Sequence, residues 1–290
     1  MDKFPSRERQ SACALATRVS AIVVVGGDAP RTQGQSPLDL CLRSLLSEPW
    51  VDELIIVDHG APRQMGTALR SLGADRRDVR IVEIGPRQGL AAAINLGAAQ
   101  ATGRWLLILD PQVVLKRGAV ERLTAAGGGA RGPWIVGGRL TDMSGRDRSE
   151  AVIGPLSAWS ALSLALGPQR APRRGGGNVS AVSDAFMLLP RQDFDALGGF
   201  DPYYAGDYAD LDFCSRVAAL GGSVLFEPEA EAVQVARRSA RGRKRAQGLA
   251  RFAAKSARTP LQACFALVAA PTLAALLVLK DWVIGRRPRG

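Results

Sequence analysis

The chain has 290 residues, 47% hydrophobic and 22% charged, with 32 glycines and 17 prolines. That composition excludes a disordered tail, a collagen-like fibre and a polytopic membrane protein, and it allows one large α/β domain or two smaller ones. The net charge is +11, but residues 237–290 hold 13 of the 38 basic residues and, in Asp281, one of the 27 acidic ones, a net of +12; the remainder, at −1, gives no charge argument for nucleic acid.

Residues 1–18 are polar, carry both signs of charge and lack the apolar run of a signal peptide, which predicts a loose leader and no secretion. Residues 19–25 form a β-rich run ending in Gly26-Gly27-Asp28. Within 38–46, Leu38, Cys41, Leu42 and Leu45 fall on one face at helical spacing. A second strand is predicted over 54–57, ending in Asp58-His59-Gly60, and a third over 79–84, ending at Gly85-Pro86. Residues 91–101 read as helix and 105–109 as a fourth strand, closed by Asp110-Pro111. Strands alternating with helices in this rhythm predict βαβ units and a largely parallel sheet.

In such sheets ligands bind beyond the carboxyl ends of the strands. Three predicted strands end in an aspartate within three residues: Asp28, Asp58 and Asp110. A strand-end carboxylate often does no more than cap the next helix. Three on one edge point to a ligand site. Beyond residue 141 the pattern weakens, and Gly, Pro and Arg crowd 167–177, the composition of a loop that serves as a lid or stays a plain insertion. Four scattered cysteines (Cys13, Cys41, Cys214, Cys264) form no CxxC pair and read as reduced thiols. His59 is the single histidine of the chain, which excludes chemistry that needs two.

The most specific signal is Gly198-Gly199-Phe200-Asp201-Pro202-Tyr203-Tyr204, followed by Asp210-Leu211-Asp212-Phe213-Cys214-Ser215-Arg216. The glycines permit a tight turn. Asp210 and Asp212 fall in the first turn of a helix, where its dipole favours carboxylates, and simple capping is the alternative use for them.

With these elements in order, the chain resembles the inverting GT-A glycosyltransferases of family 2, especially the bacterial rhamnosyltransferase-like members. The resemblance runs through Cys41-Leu42-Arg43-Ser44-Leu45, Val57-Asp58-His59-Gly60, the Gly89-to-Gly97 helix containing Asn95, and Gly103 to Gln112 with Leu109-Asp110-Pro111. It continues through Ala185-Phe186, the Gly-Gly-Phe-Asp run and the helix from Ala209 to Arg216, covering about residues 19–235. It implies a mostly parallel Rossmann-like sheet with a nucleotide-sugar donor across the strand ends. The donor-binding residues would be Gly26, Asp28, Asp58, Gly89, Asn95 and Asp110. Gly199, Phe200, Asp201 and Asp212 would lie on the acceptor side, and Asp210 would be the catalytic general base. A hydroxyl attacking an anomeric carbon needs such a base, and the leaving diphosphate needs positive charge, usually a divalent cation (Mg or Mn). Asp110 is the implied metal ligand.

The chain departs from the pattern at informative places. Gln112 stands where a second aspartate is usual, and it is a poorer ligand for a hard cation because it carries no charge. No histidine follows the Pro228-x-Ala230 segment. Ala209 replaces a glutamate, and Asp184 replaces the glycine before Ala185-Phe186. Loss of both metal ligands predicts weak or absent metal dependence, or loss of catalysis.

In the tail, residues 237–258 carry nine basic residues and no acid. Residues 263–279 are apolar except for Thr272 and are interrupted by Pro271. A 17-residue helix reaches only about 25 Å against a hydrocarbon core of ~30 Å. An interfacial or re-entrant helix on an anionic cytoplasmic membrane surface is the favoured reading. A single membrane span and a dimer-packing helix are the alternatives. The expected organisation is a leader (1–18), a GT-A domain (19–236) with a nucleotide-sugar-binding half (19–118) and an acceptor-binding half (119–236), and a membrane-associating tail (237–290). The activity the resemblance implies is sugar transfer, of rhamnose or another hexose, to a lipid-linked or cell-envelope glycan. The protein would be cytoplasmic and peripheral to the membrane. The rival is a catalytically silent homologue that acts as a nucleotide-binding scaffold. Nucleic-acid binding is disfavoured because only Phe252 interleaves the basic residues of 237–258.

Overall fold

The computed structural model describes residues 18–26, 36–85, 88–148, 152–153, 175–204, 207–236 and 242–256. The first half is built of strands β1 (Val19–Gly26), β2 (Val51–His59), β3 (Val79–Glu83) and β4 (Trp105–Leu109) with helices α1 (Pro37–Leu46), α2 (Arg63–Asp75) and α3 (Leu90–Gln100). These strands are mutually parallel in the order β3-β2-β1-β4, so the chain reverses its direction of travel across the sheet between β1 and β4. Such a reversal opens a crevice at the carboxyl ends of the strands.

β1 is buried on both faces, as expected of a central parallel strand with helices on either side. Val19, Ala21, Val23 and Val25 pack with Cys41, Leu42 and Leu45 of α1, while Ile22 and Val24 pack with Ala91, Ala93 and Ile94 of α3. The small residues of α3 set how closely it lies on the sheet. A Cβ built on Gly97 would stand 2.7 Å from Ile22 Cγ2, so only glycine permits that approach.

The second half comprises β5 (Val113–Leu115), α4 (Ala119–Gly128), β6 (Trp134–Thr141), the short strands β7 (Val152–Ile153), β8 (Gly177–Asn178) and β9 (Ala181–Val182), then β10 (Phe186–Pro190), α5 (Arg191–Ala196), α6 (Ala209–Ala219) and β11 (Ser223–Gln234). It continues the same sheet in the order β4-β10-β6-β11-β5, and β8 pairs with β11. The parallel first half is continued here by strands of mixed direction, β11 still running parallel to β6. β10 runs antiparallel to both β4 and β6, and β11 is antiparallel to β5 and β8. β9 pairs with β7 in a separate two-stranded sheet. Because β10 runs against β4, with Phe186 opposite Leu109, the start of β10 lies at the same edge as the ends of β1, β2 and β4.

A last helix, α7 (Gly242–Ser256), follows the expected domain boundary at residue 236, yet Leu249, Phe252 and Ala253 are buried in the core that contains α6. No helix among the described residues is long and apolar enough to cross a membrane. Residues 263–279, all but residue 18 of the expected leader (1–18) and most of the expected lid lie outside the described residues, as do Cys13 and Cys264. Cys41 and Cys214 are buried free thiols, consistent with the reading of reduced cysteines.

Candidate functional site

Three segments meet at the carboxyl edge of the sheet. At the end of β4, Asp110 is buried, and its backbone N–H donates to the Ala185 carbonyl at 3.0 Å. Next to Ala185, the Asp184 N–H donates to Asp210 Oδ2 at 3.2 Å. The dipeptide Asp184-Ala185 at the head of β10 thus bridges the expected donor-side carboxylate and the expected base.

Asp210 sits in the first turn of α6, with Oδ1 accepting the Leu211 N–H at 2.9 Å. A helix N-terminus and two backbone donors favour the carboxylate. Burial outweighs them. Desolvation, reinforced by the charges of Asp184 and Asp207, pushes the Asp210 carboxyl up to about 8. An acid of this strength is matched to proton abstraction near neutral pH. Tyr208, two residues before Asp210, caps α6 with φ of 80°, the single left-handed non-glycine residue among those described.

The Asp110 side chain organises the turn after β4, where Oδ1 accepts the Gln112 N–H at 2.8 Å. Gln112 is buried as well, its carbonyl accepts the Val235 N–H at 2.9 Å, and its Oε1 has no hydrogen-bond partner. An orphaned buried acceptor beside a carboxylate fits a cation, but the set is thin. Among the described residues no three His, Cys, Asp or Glu side chains group to hold a metal. Asp110 and Gln112 together offer two oxygen ligands and one charge, fewer than the about six or more oxygens a hard cation takes.

The structure separates other expected site residues into distinct tasks. Asp58, half-buried at the end of β2, accepts the N–H groups of Gly60 at 3.1 Å and Ala61 at 2.7 Å through Oδ1, so it shapes the turn before α2. Gly26 pairs in register with His59, whose Nε2 is bonded to the Gln88 carbonyl. Gly89 is the cap residue of α3. Asp28 lies outside the described residues.

Asn95 clamps a backbone. Its Nδ2 donates to the Phe200 carbonyl at 2.7 Å and its Oδ1 accepts the Phe200 N–H at 2.8 Å. Gly199, at φ of 68°, lets the turn pass so close that an added Cβ would lie 2.7 Å from Asn95 Oδ1. The Phe200 ring is fully buried and meets Phe194 and Phe213 edge-on, so the ring itself faces the core and not an acceptor. Asp201 and Asp212 face α7. Asp201 Oδ2 accepts from Arg251 Nη2 at 2.7 Å and Lys255 Nζ at 3.0 Å, and Asp212 Oδ1 pairs with Lys255 at 2.6 Å. Burial works against the Asp201 carboxylate, but the Lys255 and Arg251 bonds prevail and hold its carboxyl below the usual range. Two of the basic residues assigned from the sequence to a lipid surface are therefore spent on the domain. Sequence reasoning missed this pairing, the role of Asp184 and the packing of α7. The replacement of a glycine by Asp184 was the one visible signal.

A family profile described as Glycosyl transferase family 2 matches residues 32–197, more than half of the chain. The chain belongs to glycosyl transferase family 2. Among curated proteins it is similar to the "Pre-mycofactocin glycosyltransferase" of Mycobacterium tuberculosis (strain CDC 1551 / Oshkosh), 29% identical over 156 residues, 52% of this chain and 31% of that protein. It is also similar to the "Uncharacterized protein y4gI" of Sinorhizobium fredii (strain NBRC 101917 / NGR234), 27% identical over 190 residues, 62% of this chain and 20% of that protein. The chain spans between a fifth and a third of the length of these relatives. Two solved structures share the fold. GalNAc-T7 with UDP, GalNAc and Mn2+ aligns with a TM-score of 0.59 at 17% identity, over 77% of this chain and 45% of that one. The mannosyltransferase PcManGT from Pyrobaculum calidifontis in complex with GDP-Man and Mn2+ aligns with a TM-score of 0.58 at 19% identity, over 93% of this chain and 76% of that one. This family 2 chain therefore has the GT-A fold.

Proposed function

We propose that this family 2 chain is an inverting glycosyltransferase that moves a sugar from a nucleotide-diphosphate donor to a hydroxyl acceptor, with Asp210 as general base. The observation that carries the reading is the buried Asp210 carboxyl, pushed up to about 8 and tied through Asp184-Ala185 to Asp110 at the crevice edge. In the proposed step Asp210 takes the acceptor's hydroxyl proton as its oxygen bonds to the anomeric carbon. The bond from that carbon to the phosphate oxygen breaks, and the nucleoside diphosphate leaves with the electron pair. One displacement inverts the anomeric centre and needs one base.

The nucleotide would lie across the ends of β1, β2 and β4, near Gly26, Asp58 and Asp110, with Gly89 at the head of α3 close by. Asn95 serves by fixing the Phe200 backbone. A divalent cation held by Asp110 and Gln112 would help to neutralise the leaving diphosphate. The sugar is proposed to be a hexose, rhamnose being what the family resemblance implies, and the acceptor a lipid-linked or cell-envelope glycan. The basic and apolar sequence after residue 256 supports peripheral attachment to an anionic cytoplasmic membrane surface.

Calorimetry of the full chain against UDP-, GDP- and dTDP-sugars, with and without Mn2+, tests the reading. One donor is expected to bind, and Asp110→Ala is expected to weaken it at least tenfold. Equal binding by wild type and Asp110→Ala would misplace the site.

A further inference from the structure

Helix α7 lies beyond the stretch that the family profile matches and contributes nothing to the sheet. It nevertheless packs against the segment that carries the base. A Cβ built on its Gly248 would stand 2.6 Å from the Asp207 carbonyl oxygen and 3.0 Å from Tyr208 Cδ2. The first of these is shorter than a Cβ contact can be and the second is tight, so α7 and the Asp207-Tyr208 turn come this close because residue 248 has no side chain. Tyr208 is the left-handed cap of α6, and such a conformation at a bulky residue persists only where its surroundings determine it. Asp210 follows two residues later.

The rest of α7 fastens this contact. Leu249, Phe252 and Ala253 are buried in one core with Tyr204, Tyr208 and Phe213. On the adjacent face, Arg251 and Lys255 converge on Asp201, and Lys255 also reaches Asp212 on the first turn of α6. Arg251 further lies over the rings of Tyr203 and Tyr204, 4.6 and 5.7 Å from their centroids. Both ends of the segment before the base are held: the Gly-Gly-Phe-Asp turn through Asp201, and the start of α6 through Asp212 and Tyr208.

We infer that α7 is a positioning element for the general base, in which Gly248 against Asp207-Tyr208 and the ion pairs of Arg251 and Lys255 set where the Asp210 carboxyl stands. The inference rests on the reading of Asp210 as base, and it extends the catalytic unit to residue 256. The charged and titratable groups facing Asp210 are Asp184 from the head of β10, Asp207 from the turn under α7 and the Cys214 thiol from the next turn of α6. The cations of α7 act one step removed, through Asp212 and Asp201. Displacing α7 admits water beside Asp210 and draws its carboxyl back toward the ordinary carboxylate range.

The test uses the full chain with Gly248→Ala, with the double variant Arg251→Gln/Lys255→Gln, and with Gln247→Ala on the exposed side of the same helix as control. Nucleoside diphosphate release is followed against pH with the donor found by calorimetry. The Asp210 carboxyl is titrated by NMR of carboxyl-labelled protein, assigned with Asp210→Asn. Gly248→Ala is expected to lose about 10- to 100-fold in turnover with the donor KM within about twofold, and its acid limb and the Asp210 titration are expected to move to lower pH. The double variant is expected to shift the same way, and Gln247→Ala to match wild type. Folded Gly248→Ala with wild-type turnover and pH profile would overturn the inference. Should Gly248→Ala fail to fold, wild-type behaviour of the double variant, which adds no bulk, would overturn it. If wild type turns over no donor, the glycosyltransferase reading fails, and the Asp210 titration alone decides what α7 does.

Discussion

The backbone N–H of Asp184 donates to Oδ2 of Asp210 at 3.2 Å, while the charge of Asp184 opposes ionisation of the same carboxyl. One residue thus both holds the proposed base and raises its basicity, at a position where the family resemblance has glycine. The sign of its effect on activity follows directly. A base must be deprotonated to act, so the rate is expected to rise with pH through the Asp210 midpoint, about 8 in the wild type. Asp184→Asn keeps the backbone donor and removes the charge. Its acid limb is expected at lower pH than that of wild type, with the plateau rate lowered. A pH–rate profile measured from about pH 5 to 10 decides this.

The Asn95 amide and the Phe200 backbone form a two-bond clamp between α3 and the Gly-Gly-Phe-Asp turn. Removing it leaves a buried N–H and a carbonyl without partners, at about 1–3 kcal/mol each. Asn95→Ala is expected to lower stability by about 2–5 kcal/mol in denaturant unfolding. Gly199→Ala is expected to be destabilising as well, because φ of 68° disfavours a side chain and the new Cβ meets Asn95 Oδ1. Neither change is expected to abolish donor binding in the protein that remains folded.

Gln112 offers a buried Oε1 with no partner beside the Asp110 carboxyl. Gln112→Asp supplies the missing charge. It is expected to tighten Mn2+ binding in the presence of donor by about tenfold or more. Without metal, a second buried carboxylate beside Asp110 is expected to lower the melting temperature. Calorimetry with Mn2+ and thermal unfolding with and without the ion check the two effects.

The first half of the fold was readable because its strands and helices are strongly periodic. The predicted strand over 105–109 coincides with β4, and the predicted helix over 38–46 differs from α1 by one residue. The second half was not, because parallel and antiparallel strands buried on both faces have the same apolar composition. Nothing in the sequence marks β10 as running against β4. At the site, a motif placed Asp210 and Asp110 on one edge but could not separate contact with ligand from support of the backbone. Asn95 and Phe200 lie in motifs of the same family resemblance, and the structure uses them to hold each other. Charge misled in the tail for a related reason. Arg251 and Lys255 read as part of a basic run for an anionic membrane surface, since their partners Asp201 and Asp212 lie about 40–50 positions away in sequence and come together only in the fold.

The most direct measurement is nucleoside diphosphate release by wild type and Asp210→Asn, at pH near the wild-type optimum, with the bound donor and a panel of hydroxyl acceptors. Asparagine retains one acceptor oxygen for the two N–H groups that meet Asp210, so folding and donor affinity are first confirmed by circular dichroism and calorimetry. The expected result is donor binding within about threefold of wild type and turnover lowered by ~10²–10⁴-fold, the contribution of a positioned general base. Turnover of Asp210→Asn equal to that of wild type would contradict the account.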